Sequence, residues 1–139
     1  MSDIRVALIG CGGMGKSLIG QLKTIEGAAL VAGVDAFEPA REAFTSEYAV
    51  PTFPTFAEAN SAVELDAVVV AVPNHLHAPA TIEAAEAGKH VFCEKPMSLT
   101  IGNCRAMIDA CKKAGVKLQI GQVLRYLPDF NKAIQMTEA

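Results

Sequence analysis

The chain is 139 residues long, 51% hydrophobic and 19% charged, with a formal net charge of -3 and a pI near 5.6, which is the makeup of one folded globular domain rather than a disordered segment. So slightly acidic a chain offers no broad positive field to nucleic acid or an anionic membrane, and an anionic ligand would need a local site. The four cysteines, Cys11, Cys93, Cys104 and Cys111, form no CxxC pair and have no histidine at zinc-ligand spacing; no metal site is expected, and they read as free buried thiols.

Asp3 and Arg5 precede a short apolar run that stops at Gly10, so the N-terminus reads as neither a signal peptide nor a membrane span, and a reducing cytoplasm is the expected setting. From there, short β-branched runs alternate with Ala-rich segments of helical period. "IRVALI" (Ile4 to Ile9) predicts the first strand, followed by a helix from about Met14 to Ile25. "ALVAGV" (Ala29 to Val34) predicts the second, and "EPAREAFTSEY" its helix, with Pro39 in a first turn where a missing N–H does no harm. A short third strand is expected within Pro51 to Pro54, and "TFAE" (Thr55 to Glu58) has the pattern of a capping box.

"AVVVAV" (Ala67 to Val72) is apolar throughout, as in a strand buried on both faces. A helix from about Pro79 to Ala87, the strand "HVFCE", a helix from Ile101 to Ala114 closed by Gly115, and a strand near Lys117 to Gly121 follow. The final "DFNKAIQMTEA" has helical period and no end signal. Six strands joined by right-handed crossovers predict an α/β doubly wound parallel sheet, a Rossmann arrangement in the order 3-2-1-4-5-6.

The stretch "LIGCGGMG" (Leu8 to Gly15) is where chemistry enters. Its G-x-G-x-x-G match, Gly10, Gly12 and Gly15, is weak by itself and could be a plain turn. Here it follows a predicted strand, opens a predicted helix and precedes Asp35, at the end of the next strand, by about 20 residues, which is the context of a dinucleotide site. Gly10 permits the sharp turn, Gly12 clears the approach of a pyrophosphate to the backbone, and Gly15 lets helix and strand pack closely. Gly13 adds clearance. With Met14, these residues form the candidate cofactor loop. The helix N-terminus supplies unpaired N–H groups and partial positive charge, so an acidic protein can still hold an anion. Asp35 would accept hydrogen bonds from a ribose diol and repel a 2'-phosphate, favouring NAD over NADP, while Arg41 is the one nearby cation that tempers the preference.

Two loops fall where the ligand crevice of such a sheet lies: "AVPNHLHAP" (Ala71 to Pro79) after the fourth strand and "CEKPMS" (Cys93 to Ser98) at the end of the fifth. On composition alone, His75 and His77 are ordinary loop histidines and Lys95 a solvated end-of-strand charge. The combination "ALIGCGGMG", "VDAFEPAR", "AVPNHLHAPATIEAAEAGKHVFCEKP" and "GQVLRYLP", however, closely resembles the N-terminal half of the Gfo/Idh/MocA oxidoreductases, the group that includes glucose-fructose oxidoreductase and inositol dehydrogenase. The resemblance covers nearly the whole chain. It implies that Lys95 is a catalytic lysine near nicotinamide and substrate, that the Lys95–Pro96 bond is cis, and that Asn74 and His77 lie beside the nicotinamide ribose. Val72 and Pro73 would border the cofactor, Glu94 would line the same pocket, and Arg125 would stand at the cleft. Gly102 and Asn103 depart from the family, which commonly has acidic residues there, so a weaker helix cap is expected.

The same resemblance implies a missing second domain, because family members are more than twice this long. Residues 1–125 would be the Rossmann domain and 126–139 the start of a helix leading into the absent half. The family's general base is a histidine of that half, and no histidine follows His90 here; the chain by itself lacks a group to take a hydroxyl proton. The expectation is the NAD-binding half of a dehydrogenase for a sugar, polyol or related hydroxyl compound, with Leu127, Phe130 and Ile134 left as an exposed stripe that favours self-association. A stand-alone NAD(H) sensor is the alternative, disfavoured by the Glu-Lys-Pro motif; a Rossmann methyltransferase would leave the pyrophosphate approach unused.

Overall fold

A computed structural model describes residues 3–137. Six parallel strands are joined in the order β3-β2-β1-β4-β5-β6: β1 (Ile4–Ile9), β2 (Ala28–Val34), β3 (Thr52–Phe53), β4 (Ala67–Val70), β5 (His90–Glu94) and β6 (Leu118–Gly121). The predicted order is the observed one. Between them run α1 (Gly13–Leu22), α2 (Glu38–Tyr48), α3 (Phe56–Ala62), α4 (His77–Glu86) and α5 (Ile101–Ala114), and α6 (Pro128–Thr137) follows the sheet.

The alternation of side chains across β1 builds two separate cores. Val6 and Leu8 point to one face and meet Ile19 of α1, Phe44 of α2 and Val69 of β4. Ala7 and Ile9 point to the other, among Phe56, Ala59, Ala78, Ala84 and Met107 of α3, α4 and α5. Val68 and Val70 join that second core while Val69 joins the first, which is why β4 is apolar at every position. The fully buried Phe44 ring needs a gap in β2: a Cβ on Gly33 would stand 2.7 Å from it.

Several boundaries differ from the sequence expectation. The first helix ends at Leu22 rather than Ile25, because the chain tightens into i→i+3 bonds, Thr24 N–H to Gln21 O and Ile25 N–H to Leu22 O, before turning at Gly27. Strand β4 stops at Val70; the Ala71 N–H still bonds Ile9 O, but Gly10 then swings away and the β4 chain proceeds through Pro73 into a 3-10 turn over Asn74–Leu76. The fourth helix therefore begins at His77, with Pro79 inside its first turn rather than at its start.

At α3, Thr55 Oγ1 accepts the Glu58 N–H at 3.3 Å, while the Glu58 carboxylate accepts the Thr55 hydroxyl at 2.8 Å instead of reaching back to the backbone. The α5 cap, expected to be weak, is supplied by Thr100 Oγ1, which accepts the Asn103 N–H at 3.1 Å, and Gly115 closes that helix in the left-handed conformation. Cys11, Cys93 and Cys111 are buried as expected, but Cys104, on the same stripe of α5 as Met107 and Cys111 and one turn nearer its start, is only half-buried. Helix α6 buries no residue, and Leu127, Phe130 and Ile134 remain exposed. Among the described residues, no helix is long and apolar enough to cross a membrane.

Candidate functional site

Strand order reverses between β1 and β4, whose last residues Ile9 and Val70 are in register. The loops leaving those two strands diverge, and the resulting crevice lies at the carboxyl edge of the sheet.

On one side stands the glycine loop. Gly10 has φ +102°, and a Cβ there would press on Ala71 O and Val72 N; a Cβ on Gly15 would collide with Gly10 O and lie 2.9 Å from the Leu8 side chain. Gly15 seats α1 against the end of β1, and Gly10 lets the turn close on the loop after β4. Gly12 and Gly13 differ: nothing lies within 4 Å of where their Cβ atoms would be. Gly12 is the N-cap of α1, makes no side-chain cap bond, and no acidic residue occupies the first turn, so the open N–H groups there carry uncompensated positive character. Met14 is 54% exposed beside them.

Asp35, just past β2, is drawn to this loop. Its Oδ2 accepts the Cys11 N–H and its Oδ1 accepts the Phe37 N–H, both at 2.9 Å. A carboxylate has lone pairs beyond those two bonds, so it remains able to accept from hydroxyl groups in the crevice. Arg41 Nη1 donates to the carbonyls of Asp35 at 2.8 Å and Ala36 at 3.1 Å, which fixes the turn from behind. The buried Cys11 thiol is pushed up to about 12, first by burial and then by the Asp35 charge, and remains a neutral packing group.

A cleft of about 450 Å³ extends from Gly10, Gly12 and Asp35 to a wall that sequence reasoning missed, formed by Pro54, Phe56, Leu76, Pro79 and Ala80. The Pro54-Thr55-Phe56 corner after β3 carries a helix-cap pattern but no ligand motif; its place opposite Asp35 comes from the β2–β3 register, Val34 against Phe53. A smaller recess of about 190 Å³ adjoins it, with Ala71 and Val72 lining both, and brings together Met14, Asn74, His77, Glu94 and Lys95. Every candidate on the β4 and β5 loops except Pro73, which lines the larger cleft, reaches this recess.

Within the recess, Lys95 is exposed, and its ammonium makes no hydrogen bond or ion pair among the described residues. The Lys95–Pro96 bond is cis, as the resemblance implied. Glu94 is 7% exposed and its Oε2 accepts the Lys95 N–H at 2.9 Å. Gly121 at the end of β6, another residue the sequence did not single out, makes room for it: a Cβ there would stand 3.2 Å from Glu94 Oε1. His77 is 1% exposed, and both ring nitrogens face backbone carbonyls, Nδ1 to Pro96 O at 2.7 Å and Nε2 to Val72 O at 3.0 Å. Arg125 falls in the 3-10 turn Val123–Tyr126, and its side chain lies outside the described residues.

Residues 4–122 match the family described as "Oxidoreductase family, NAD-binding Rossmann fold", GFO_IDH_MocA. The chain belongs to the Gfo/Idh/MocA family. Among its relatives is an inositol 2-dehydrogenase of Rhizobium meliloti, 35% identical over 91% of this chain and 38% of that protein. The WlbA dehydrogenase of Bordetella pertussis, solved with NADH and UDP-GlcNAcA, superposes with a TM-score of 0.87 at 33% identity, over 90% of this chain and 36% of that one. The name of a further solved relative, from Desulfitobacterium hafniense, mentions NADPH; it superposes with a TM-score of 0.89 at 30% identity over 98% of this chain and 39% of that one. The chain thus spans well under half the length of these Gfo/Idh/MocA relatives and corresponds to their NAD-binding domain.

Proposed function

We propose that this chain is the NAD-binding half of an oxidoreductase that moves hydride between nicotinamide and a sugar, polyol or related hydroxyl compound. The observation that carries the reading is the juxtaposition of Asp35 with the open N-terminus of α1, through the Cys11 N–H bond, at one end of a crevice whose other end holds Lys95. NAD, bound there, would accept or supply the hydride.

The residues divide the work. Backbone N–H groups at Gly12 and Gly13 bind the paired phosphates, where side chains are absent and the helix dipole favours negative charge. Asp35 accepts from the adenosine ribose hydroxyls and repels a 2'-phosphate, so NAD is preferred to NADP. Pro54, Phe56 and Leu76 form an apolar wall for the adenine. Val72 and Pro73 border the cofactor, and Asn74 and Glu94 line the nicotinamide side. Lys95 presents an unpaired ammonium to the substrate hydroxyl or carbonyl oxygen, where it stabilises developing negative charge.

Calorimetry checks the cofactor half: Asp35→Ala is expected to weaken NAD clearly more than NADP, and equal losses would count against its ribose role. Turnover checks the rest. The 139-residue chain is expected to bind NAD yet reduce none of it with a panel of polyols, because the Lys95 ammonium has no lone pair to take a hydroxyl proton and the family's base histidine belongs to the other half; steady turnover would overturn the division of labour.

A further inference from the structure

The resemblance places His77 beside the nicotinamide ribose, yet its ring is 1% exposed and both nitrogens are directed at main-chain carbonyls of this same chain. One acceptor, Val72 O, lies in the loop after β4. The other, Pro96 O, belongs to the residue that follows Lys95 across the cis bond. These loops are 24 residues apart along the chain, counted from Val72 to Pro96, and among the described residues the His77 ring is the one side chain with hydrogen bonds to both. Carbonyl oxygens only accept, so the ring donates to the one its proton faces, and to both when it carries two.

We infer that His77 is a positioning residue: it cross-links the Val72 loop to the Lys95–Pro96 loop and so sets the direction of the Lys95 side chain and the width of the recess. Its position gives the ring a fixed base. His77 opens α4, whose buried residues Ala78 and Thr81 follow it, so the ring is anchored by the core while its nitrogens reach both surface loops. Removing the donors leaves the Pro96 carbonyl without this partner and frees the Lys95 loop, without touching Gly12, Gly13 or Asp35.

The inference rests on the reading that nicotinamide seats beside Lys95, and the test separates the two. His77→Phe keeps a ring in the buried site but cannot donate; His77→Gln restores N–H donors. Affinities are measured for NADH and for ADP-ribose, which lacks nicotinamide. The expected result is about a tenfold loss for NADH in His77→Phe, with ADP-ribose changed less than threefold and partial recovery in His77→Gln. Equal loss of both ligands, or no loss in a folded variant, overturns the inference. Wild-type protein that binds ADP-ribose and NADH equally well overturns the nicotinamide seat instead.

Hydrogen exchange in the ligand-free chain tests the cross-link by itself: His77→Phe should speed exchange at amides of residues 72–76 and 95–99 while leaving residues 13–16 unchanged, and unchanged exchange in both loops overturns it. Should His77→Phe fail to fold, nitrogen-15 histidine spectra of the wild type decide. A ring N–H of His77 protected from solvent is expected, and one that exchanges as fast as that of exposed His75 overturns the cross-link.

Discussion

The two ends of this sheet are built in opposite ways. At the amino end, charge is paired: the Arg5 guanidinium bonds both oxygens of Asp66 at 2.8 and 2.9 Å and also reaches Glu64, Lys89 Nζ donates to Leu65 O at 3.0 Å, and His90 Nδ1 accepts the Lys117 N–H at 3.0 Å. At the carboxyl end, polar groups are left unspent: the start of α1 has no side-chain cap and open space where Cβ atoms of Gly12 and Gly13 would be, and the Lys95 ammonium has no partner among the described residues. The contrast teaches where to look for chemistry in such a fold. Paired charge stabilises, whereas donors held in place without acceptors remain free to meet an anion.

The largest break in that comparison is expected at Gly15. A Cβ there meets backbone, which cannot yield as a side-chain tip can, so Gly15→Ala should lower stability by about 3 kcal/mol, read as a shift of the urea midpoint. Gly12→Ala, three residues earlier, sharpens it. With nothing near its Cβ, the fold should lose no more than about 1 kcal/mol, the ordinary cost of alanine at an N-cap, while NADH affinity should fall about tenfold because the methyl stands where the phosphates approach. A wild-type affinity in Gly12→Ala would show that the open end of α1 is not used.

Thr55→Ala should cost about 1 kcal/mol by removing the α3 cap, and should also weaken NADH modestly, because Thr55 and Phe56 form part of the cleft wall. A stability loss with full affinity would detach that wall from the ligand.

The smallest effect is expected at the amino end. Hydrogen bonds from the Arg5 side chain and backbone hold the Asp66 carboxyl below the usual carboxylate range. A folded-state value below the unfolded one gives stability that is present above about pH 4 and is lost as pH falls below it. The stability difference between wild type and Asp66→Asn should therefore be constant above pH 5 and shrink towards pH 2, with ligand affinity untouched; a difference that grows on acidification would reverse the assignment.

Much of the architecture was legible because it is written in short-range patterns. The Val68-Val69-Val70 run and the two-residue alternation of Val6, Ala7, Leu8 and Ile9 identify buried strands without reference to anything distant. Boundaries were less legible where tertiary bonds override local signals, as at Leu22, at Val70 and at the start of α4. The glycine loop and Asp35 were found from spacing, and the β4 and β5 loop residues from resemblance. The residues Pro54 and Phe56 were legible as a strand end and a helix start, but nothing local marked them as a wall of the cleft.

By itself, then, the order of residues determined the alternation of strands and helices, the glycine turn and the acidic residue that follows the second strand, since each depends on neighbours a few positions away. Tertiary structure alone decided that Asp35 holds the Cys11 N–H, that Gly33 yields to Phe44 and Gly121 to Glu94, and that the His77 ring, buried beside the recess, directs its nitrogens at two carbonyls. Those facts join residues many positions apart. They exist only once the sheet has set the register between strands, and no local pattern encodes which distant group will be there to accept a proton or fill a gap.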